Sequence, residues 1–281
     1  MSFPYRRWPT PAPTPEHGTP SLAPPQGTPT PSRRAPDQDP RVHTPEPSPR
    51  RLLITAGPTQ EPIDAVRFIG NRSSGRLGIR LAEQAARRGW KVTLALGPVC
   101  SEPQDPSVEV VRFRTTADLE AILADRWPAT DVLVMAAAVA DYRPKPDPQA
   151  LKAKQKRSAE GLTIHLEGTP DLLAACTAAR RPGQRLIGFA LEPRERMADS
   201  ALDKLARKNV DVIIANPLET MDAPDIEATA YSTPDLGFPE GRPTDGPISK
   251  DRFADWLLDL IDQLPQTPQT NTPSEPPHAR P

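Results

Sequence analysis

The sequence predicts an α/β fold, a doubly wound and mostly parallel sheet of the Rossmann-like type, with a disordered tail at each end. Between residues 51 and 264, short apolar segments alternate with longer segments whose apolar residues recur at helical spacing. Outside that range the chain is rich in proline and poor in apolar residues, so it buries too little surface to fold. We therefore expect a tail over 1–50, one domain over 51–264 and a second tail over 265–281.

The predicted elements alternate along the chain as this fold requires. Thr115 or Thr116 suits the N-cap of the second helix, and 162–166 suits an edge or flap strand. Parallel sheets of this kind bind ligands beyond the carboxyl ends of their strands. Strands are predicted over 52–55, 91–96, 108–113, 131–136, 162–166, 185–190 and 210–215, and helices over 79–88, 116–127, 170–179, 195–208 and 248–264.

Composition argues against several function classes. The net charge of -1 gives no reason to expect a nucleic-acid partner. The chain has no apolar run near the roughly 20 residues of a membrane span, and its N-terminus lacks the apolar core of a signal peptide. We therefore expect a cytoplasmic protein without a membrane partner. Cys100 and Cys176 lack metal-ligand spacing and are expected to be reduced and inert.

The segment from Arg67 to Gly78 is the most informative loop, because it joins the first strand to the first helix. It has neither the spacing of a Walker loop nor the glycine fingerprint of dinucleotide-binding proteins. A small polar loop before a helix directs backbone N–H groups at a phosphate. We predict that Ser73, Ser74 and Gly75 bind phosphate; the alternative is an ordinary helix N-cap.

Two consecutive motifs, Thr55-Ala-Gly-Pro-Thr-Gln-Glu-Pro-Ile-Asp64 and Val66-Arg-Phe-Ile-Gly-Asn-Arg-Ser-Ser-Gly75, resemble phosphopantothenate–cysteine ligase. Four further segments agree, and several motifs in the right order make the resemblance specific over about 52–264. They are an alanine-rich loop, Ala136-Ala-Ala-Val-Ala-Asp-Tyr-Arg-Pro144; a basic flap, Lys154-Gln-Lys-Arg157; and two later strands, Gly188-Phe-Ala-Leu-Glu192 and Lys208-Asn-Val-Asp-Val-Ile-Ile-Ala-Asn216.

The resemblance implies a ligase of coenzyme A biosynthesis that joins 4′-phosphopantothenate and L-cysteine into 4′-phosphopantothenoylcysteine. It implies an acyl-cytidylate intermediate, CTP as co-substrate in bacterial members (ATP in eukaryotic ones), Mg²⁺, and a homodimer. This sequence is similar to the bacterial pattern. The residues before Arg51 are too few and too proline-rich for the flavin-dependent decarboxylase that is often fused to the ligase, so we expect a stand-alone ligase domain.

Three residues are predicted to be catalytic by the resemblance. Asn71 would donate to the developing oxyanion, with a turn asparagine as the alternative. Lys154 would act on the triphosphate, against a solvated charge run, and it is preferred to Lys152 because Lys154 aligns with the basic flap. Arg67 would hold a substrate carboxylate or phosphate, with an ion pair to Asp64 as the alternative.

The nucleotide site is predicted from the same motifs. Asp141 would hold Mg²⁺ or a hydroxyl group, with helix capping as the alternative. Lys204 and Lys208 lie four apart on one helix face and would contact phosphate or form a solvated face. The full predicted set is Gly57, Ser73, Ser74, Gly75, Ala137, Ala138, Asp141, Phe189, Lys204, Lys208 and Asn216.

Departures from the family pattern leave other functions open. Leu191 and Pro193 interrupt one motif, and Pro217–Thr229 replaces a loop that normally helps build the nucleotide pocket or the dimer contact. One alternative is an NAD(P)-dependent oxidoreductase, against which stand the missing glycine fingerprint and the absence of an evident Tyr-x-x-x-Lys pair. The other is a non-catalytic nucleotide-binding protein whose tails dock partners.

Overall fold

The computed structural model describes residues 49–145, 149–154, 159 and 161–265. The described helices are α1 (Arg76–Arg87), α2 (Thr116–Arg126), α3 (Leu172–Ala178), α4 (Met197–Lys208) and α5 (Lys250–Gln263). The described strands are β1 (Arg51–Ala56), β2 (Gln60–Pro62), β3 (Phe68–Gly70), β4 (Lys91–Leu96), β5 (Glu109–Arg112), β6 (Val132–Met135), β7 (Tyr142–Pro144), β8 (Leu166–Gly168), β9 (Arg185–Glu192), β10 (Val212–Pro217), β11 (Asp225–Ile226), β12 (Thr229–Ser232), β13 (Arg242–Pro243) and β14 (Ile248–Ser249).

Eight of these strands form one sheet in the order β13-β12-β10-β9-β6-β1-β4-β5. The six strands from β10 to β5 are parallel, whereas β12 and β13 add an antiparallel edge. The predicted fold class, an α/β fold with a mostly parallel sheet, is therefore confirmed.

Helices cover both faces of the sheet. Because side chains alternate along a strand, Leu52 and Ile54 of β1 pack with α1 and α5, whereas Leu53 packs on the opposite face. That opposite face is covered by α2, α3 and α4. The two apolar layers bury the centre of the sheet, and the polar loops are left at its ends. None of the described helices is long and apolar enough to cross a membrane.

The structure adds short strands that apolar periodicity did not indicate. The loop after β1 contains the antiparallel pair β2 and β3, and β7 pairs with β8. The strand predicted over 162–166 is wrong over its first four residues, since β8 begins at Leu166. The helix predicted from 248 begins at Lys250, because Ile248 and Ser249 pair with β11.

Some predictions fall wholly or partly outside the described residues. The predicted tails do so except at residues 49–50 and 265, and so does the part of the basic flap at 155–157.

The N-cap prediction at Thr115 is confirmed: its side chain accepts from the backbone N–H of Asp118, which closes a capping box.

Candidate functional site

Two adjoining clefts open at the carboxyl ends of the parallel strands. Ala137 and Phe189 line both of them. We call the first, of about 240 Å³, the loop cleft; its lining includes Arg72–Gly78, Ala136–Ala138, Leu191, Asn216, Thr220–Asp222, Ile226 and Lys250. We call the second, of about 370 Å³, the lysine cleft; its lining includes Met135, Val139, Asp141, Thr169–Leu173, Lys204 and Lys208.

The loop before α1 leaves the start of that helix free of a side-chain cap. The N-cap residue is Gly75, with a left-handed φ of 68°, and no side chain bonds to the first turn. Ser73 and Ser74 are partly buried and line the loop cleft instead. Gly75 is thus the N-cap residue, as the alternative allowed, whereas neither serine caps the helix with its side chain; the first-turn N–H groups of α1 are available to an anion, and phosphate binding stays a prediction.

Gly57 supports this loop from below. It is buried, adopts a φ of 82°, and a Cβ placed on it would lie 3.1 Å from Cγ1 of Val99. Its carbonyl oxygen accepts from the N–H of Ala138 at 2.9 Å. Gly57 is not among the described residues that line either cleft. The contacts observed for Gly57 hold the neighbouring loops of the site in position.

The alanine-rich loop is fixed by two threonines that sequence reasoning missed. Thr55 Oγ1 accepts from the N–H of Ala137 at 3.2 Å, and Thr59 Oγ1 accepts from the N–H of Ala140 at 2.9 Å. The N–H of Thr59 in turn donates to the carbonyl oxygen of Ala138 at 3.2 Å. The signal was present in the sequence, since two hydroxyl residues flank Ala-Gly-Pro at the end of a buried strand.

Asn71 connects the loop before α1 to the alanine-rich loop, two of the segments that resemble the family. Its side-chain Nδ2 donates to the carbonyl oxygen of Val139 at 2.9 Å, which ties the loop before α1 to the alanine-rich loop. Asn71 is exposed, and the second hydrogen of its amide is not used in this bond. Asn71 is not among the described residues that line either cleft, and its donation to an oxyanion stays a prediction.

Arg67 lies at the tip of the hairpin formed by β2 and β3. Its Nε and Nη2 contact Oδ2 of the buried Asp64 at 2.9 and 2.5 Å. The alternative considered for Arg67, an ion pair with Asp64, is thus what the structure shows. Arg67 is not among the described residues lining either cleft, and its role toward a substrate stays a prediction.

The two lysines of α4 point along one side of the lysine cleft. Lys204 Nζ donates to the carbonyl oxygen of Phe189 at 3.2 Å, and Lys208 Nζ contacts Oδ2 of Asp171 at 2.8 Å. Burial, and then the charge of Lys208, lower the pKa of Lys204, whereas Glu192 and Asp141 act in the opposite direction. Since neither lysine is exposed, the alternative of a solvated face is wrong.

Asp171 is held ionised at the mouth of the same cleft. Its carboxylate also accepts from the backbone N–H of Ala174 and so caps α3. Burial raises the pKa of Asp171, but hydrogen bonds from Lys208 and Ala174 outweigh it and lower the pKa below its usual value. Lys208 is thus paired with Asp171, whereas Lys204 forms no ion pair among the described residues.

Asp141 presents an exposed carboxylate to the lysine cleft and precedes β7 rather than a helix, so the helix-capping alternative is wrong. The described residues contain no group of three or more His, Cys, Asp or Glu side chains arranged to hold a metal ion. Mg²⁺ is usually held by one or two carboxylates together with substrate phosphates, and Asp141 fits that pattern.

Asn216 lines the loop cleft, whereas Lys154 lines neither cleft. Asn216 lines the loop cleft at the end of β10, and its Nδ2 donates to Oγ1 of Thr220 at 2.7 Å. Lys154 is exposed and follows the single helical turn Ala150–Lys152. It is not among the described residues that line either cleft, so its action on the triphosphate stays a prediction.

Comparison with known proteins finds a matching family model and several similar curated proteins. A family model described as "DNA/pantothenate metabolism flavoprotein C-terminal domain" matches residues 48–263. The chain is 44% identical over 176 residues to the coenzyme A biosynthesis bifunctional protein CoaBC of Mycobacterium bovis. The match covers 59% of this chain and 41% of that protein. It is 41% identical over 170 residues to a cysteine/cysteine sulfinic acid decarboxylase of an unknown prokaryotic organism, covering 60% and 46%.

A solved structure agrees in fold. The crystal structure of the C-terminal domain of a CoaBC protein has a TM-score of 0.61 and 33% identity, and the match covers 76% of this chain and 94% of that one. The chain thus spans less than half the length of these two curated relatives but nearly all of the solved domain.

Proposed function

Since the chain belongs to the family of DNA/pantothenate metabolism flavoprotein C-terminal domains, we propose that it is a phosphopantothenate–cysteine ligase. It joins 4′-phosphopantothenate to L-cysteine at the expense of CTP and releases CMP and pyrophosphate. It works with Mg²⁺, in the cytoplasm, as a homodimer. The observation that carries the proposal is the contact between Asn71 and Val139, because it joins two family motifs, the loop before α1 and the alanine-rich loop, and both of these loops contribute residues to the clefts.

In the first half-reaction, a carboxylate oxygen of 4′-phosphopantothenate attacks the α-phosphorus of CTP, and pyrophosphate leaves. Lys204 attracts the nucleotide phosphates into the lysine cleft, and Lys154 neutralises charge on the attacked phosphorus. The amides at Ser73–Gly75 bind a phosphate in the loop cleft. Mg²⁺, held by Asp141 and the phosphates, would supply further charge neutralisation.

In the second half-reaction, the amine of cysteine attacks the acyl carbon, CMP leaves, and the amine loses its proton to solvent. Asn71 donates its second amide hydrogen to the oxyanion that forms at that carbon. Its first hydrogen is already held by Val139, so the group is oriented before the substrate arrives. The small side chains of Ala137 and Ala138 allow the ribose and base to approach the backbone.

Exposed apolar side chains on the two short strand pairs support the homodimer. Val66 and Phe68, in the hairpin of β2 and β3, and Tyr142 and Leu166, in the pair β7 and β8, are between 43% and 60% exposed. Large exposed apolar groups that cluster often mark protein–protein contacts. Light scattering coupled to size-exclusion chromatography measures the mass directly; a monomer at micromolar concentration contradicts this part of the proposal.

Pyrophosphate release is the test of the function. The chain would be incubated with 4′-phosphopantothenate, cysteine and Mg²⁺, together with CTP, ATP or no nucleotide. We expect release that requires phosphopantothenate and is faster with CTP, with the amide product appearing once cysteine is added. A folded chain that binds CTP but releases no pyrophosphate would favour the non-catalytic alternative, and hydride transfer from NAD(P)H would favour the oxidoreductase.

A further inference from the structure

Lys250 is a cation on the wall of the loop cleft that no sequence motif indicated. It is the first residue of α5 and is partly buried. Its Nζ donates to the carbonyl oxygen of Ala223 at 2.6 Å. Over the described ranges of the chain, no carboxylate lies within ion-pair distance of this ammonium. A partly buried charge without a counter-ion is costly, so its place in the cleft calls for a functional explanation.

Arg76 is a second, exposed cation in the lining of the loop cleft. It is the first residue of α1, and in the described part of the structure its guanidinium makes no hydrogen bond or ion pair. Burial, and then the charge of Arg76, lower the pKa of Lys250, while Asp222 and Asp225 act in the opposite direction. Both cations lie at the positive ends of helices, where the helix dipole disfavours them.

The single carboxylate on this wall is already engaged. Asp222 Oδ2 contacts Nη2 of Arg72 at 2.7 Å, and the Asp222 backbone adopts a left-handed φ of 61°. Among the described lining residues, the loop cleft therefore holds three cations, Arg72, Arg76 and Lys250, and one carboxylate. Two positive charges remain for an anionic ligand, beside the uncapped start of α1.

We propose that Lys250 is a phosphate-binding residue of the ligase, which with Arg76 holds a phosphate group of a substrate in the loop cleft. This inference rests on the proposed function and adds a residue to its site. Both 4′-phosphopantothenate and CTP carry a phosphate of the required charge. A lysine suits this task, because its ammonium is a compact charge with three donors, of which one is used by Ala223.

Calorimetric titration of separate samples with 4′-phosphopantothenate and with CTP tests the proposal. The proteins would be the parent chain, Lys250→Gln, Lys250→Arg and the control Lys91→Gln, whose lysine is exposed at the start of β4. Glutamine keeps a donor for Ala223 but removes the charge. We expect Lys250→Gln to weaken at least one ligand by about tenfold or more, as for a lost charged hydrogen bond.

The remaining variants separate charge from structure. Lys250→Arg should bind within a few-fold of the parent, and Lys91→Gln should match it. The ligand that is weakened identifies whose phosphate Lys250 holds. If Lys250→Gln binds both ligands as the parent does, or if the glutamine and arginine variants lose affinity equally, the proposal is overturned and Lys250 only anchors Ala223.

The same proteins distinguish this inference from the proposed function. A parent that binds both ligands but forms no product contradicts the ligase, while the binding data still decide the role of Lys250. A parent that forms product while Lys250→Gln binds normally contradicts only the role of Lys250. Circular dichroism melts of each variant establish that the compared proteins are folded.

Discussion

The side-chain amide of Asn71 and the carbonyl oxygen of Val139 lie 2.9 Å apart although 68 positions separate them in the chain. The bond fixes the amide between the loop before α1 and the alanine-rich loop. One hydrogen is committed to this contact, and the other is not used in it. Position and orientation are therefore set by the protein before any substrate binds.

Asn71→Asp should slow amide formation far more than pyrophosphate release. A carboxylate cannot donate to an oxyanion, and it would also face the oxygen of Val139. Loss of such a donor typically lowers the rate by about 10²–10³. Rapid-quench measurement of both half-reactions checks this, and product formation at the parent rate would show that Asn71 has no role in the second half-reaction.

Lys204→Met should weaken CTP binding without destabilising the fold. Burial lowers the pKa of Lys204 from its ordinary value of 10.5, so the charged form is disfavoured in the folded state. Between the lowered pKa and 10.5 the unfolded state binds more protons, so the stability of the parent rises with pH in that window. We expect the free energy of unfolding of the variant to equal or exceed that of the parent at pH 7.

Urea denaturation at pH 7 and at pH 10 measures the difference in the free energy of unfolding between Lys204→Met and the parent. This difference should be smaller at pH 10. The KM for CTP should rise by about tenfold, as expected when a charged contact to phosphate is lost. Lys91→Met, at the exposed first residue of β4, is the control and should change neither quantity. A clear loss of stability in Lys204→Met would mean that its bond to Phe189 is structural.

Gly78→Ala should destabilise the protein by about 1–3 kcal/mol, the usual cost of overpacking. A Cβ at Gly78 would lie 2.4 Å from the Cβ of Ala56, so α1 would have to move away from β1. Gly168→Ala is a matched control, because nothing lies within 4 Å of the added atom, and it should stay within about 0.5 kcal/mol of the parent. Equal thermal midpoints for the two variants would contradict this account of the packing.

The native chain should expose one reactive thiol. Cys100 is exposed, whereas burial raises the pKa of Cys176 from 9.0 to about 11. Titration with a disulfide reagent at pH 8 should therefore count one thiol per folded chain and two after denaturation. The exposure of Cys100 removes the basis for the sequence-based expectation that both thiols are inert; two fast-reacting thiols in the native protein would contradict the burial of Cys176.

Apolar periodicity was sufficient to predict the parallel core of the fold. β6 is a continuous apolar run, β9 is apolar between its two terminal residues, and α1 and α5 carry an apolar stripe, so pattern and structure agree there. The short pairs β2 with β3 and β7 with β8 were missed, because strands of three residues have no period to detect. Their hydrogen bonds, rather than their side chains, define them.

The candidate site was predictable where residues lie within a motif and not where they meet across the fold. The serine loop, the alanine-rich loop and the lysines of α4 were predicted from local sequence and lie along the two clefts. Lys250 and Asp222 reach the loop cleft only because the C-terminal part of the chain folds back on α1. The resemblance had indicated the segment that contains Asp222, Pro217–Thr229, but no local pattern encodes the approach of Lys250, so sequence reasoning could not place that lysine.

The hydrogen bonds that Thr55 and Thr59 make to the alanine-rich loop have a thermodynamic consequence. Because the loop is held by the strand beside it, its backbone loses conformational entropy when the chain folds and not when a ligand arrives. The affinity of the clefts for a ligand is then not lowered by the entropy cost of ordering this loop. Replacing either threonine by valine would transfer that penalty to the ligand, and the unfavourable entropy of CTP binding would grow while the contacts to CTP stay the same.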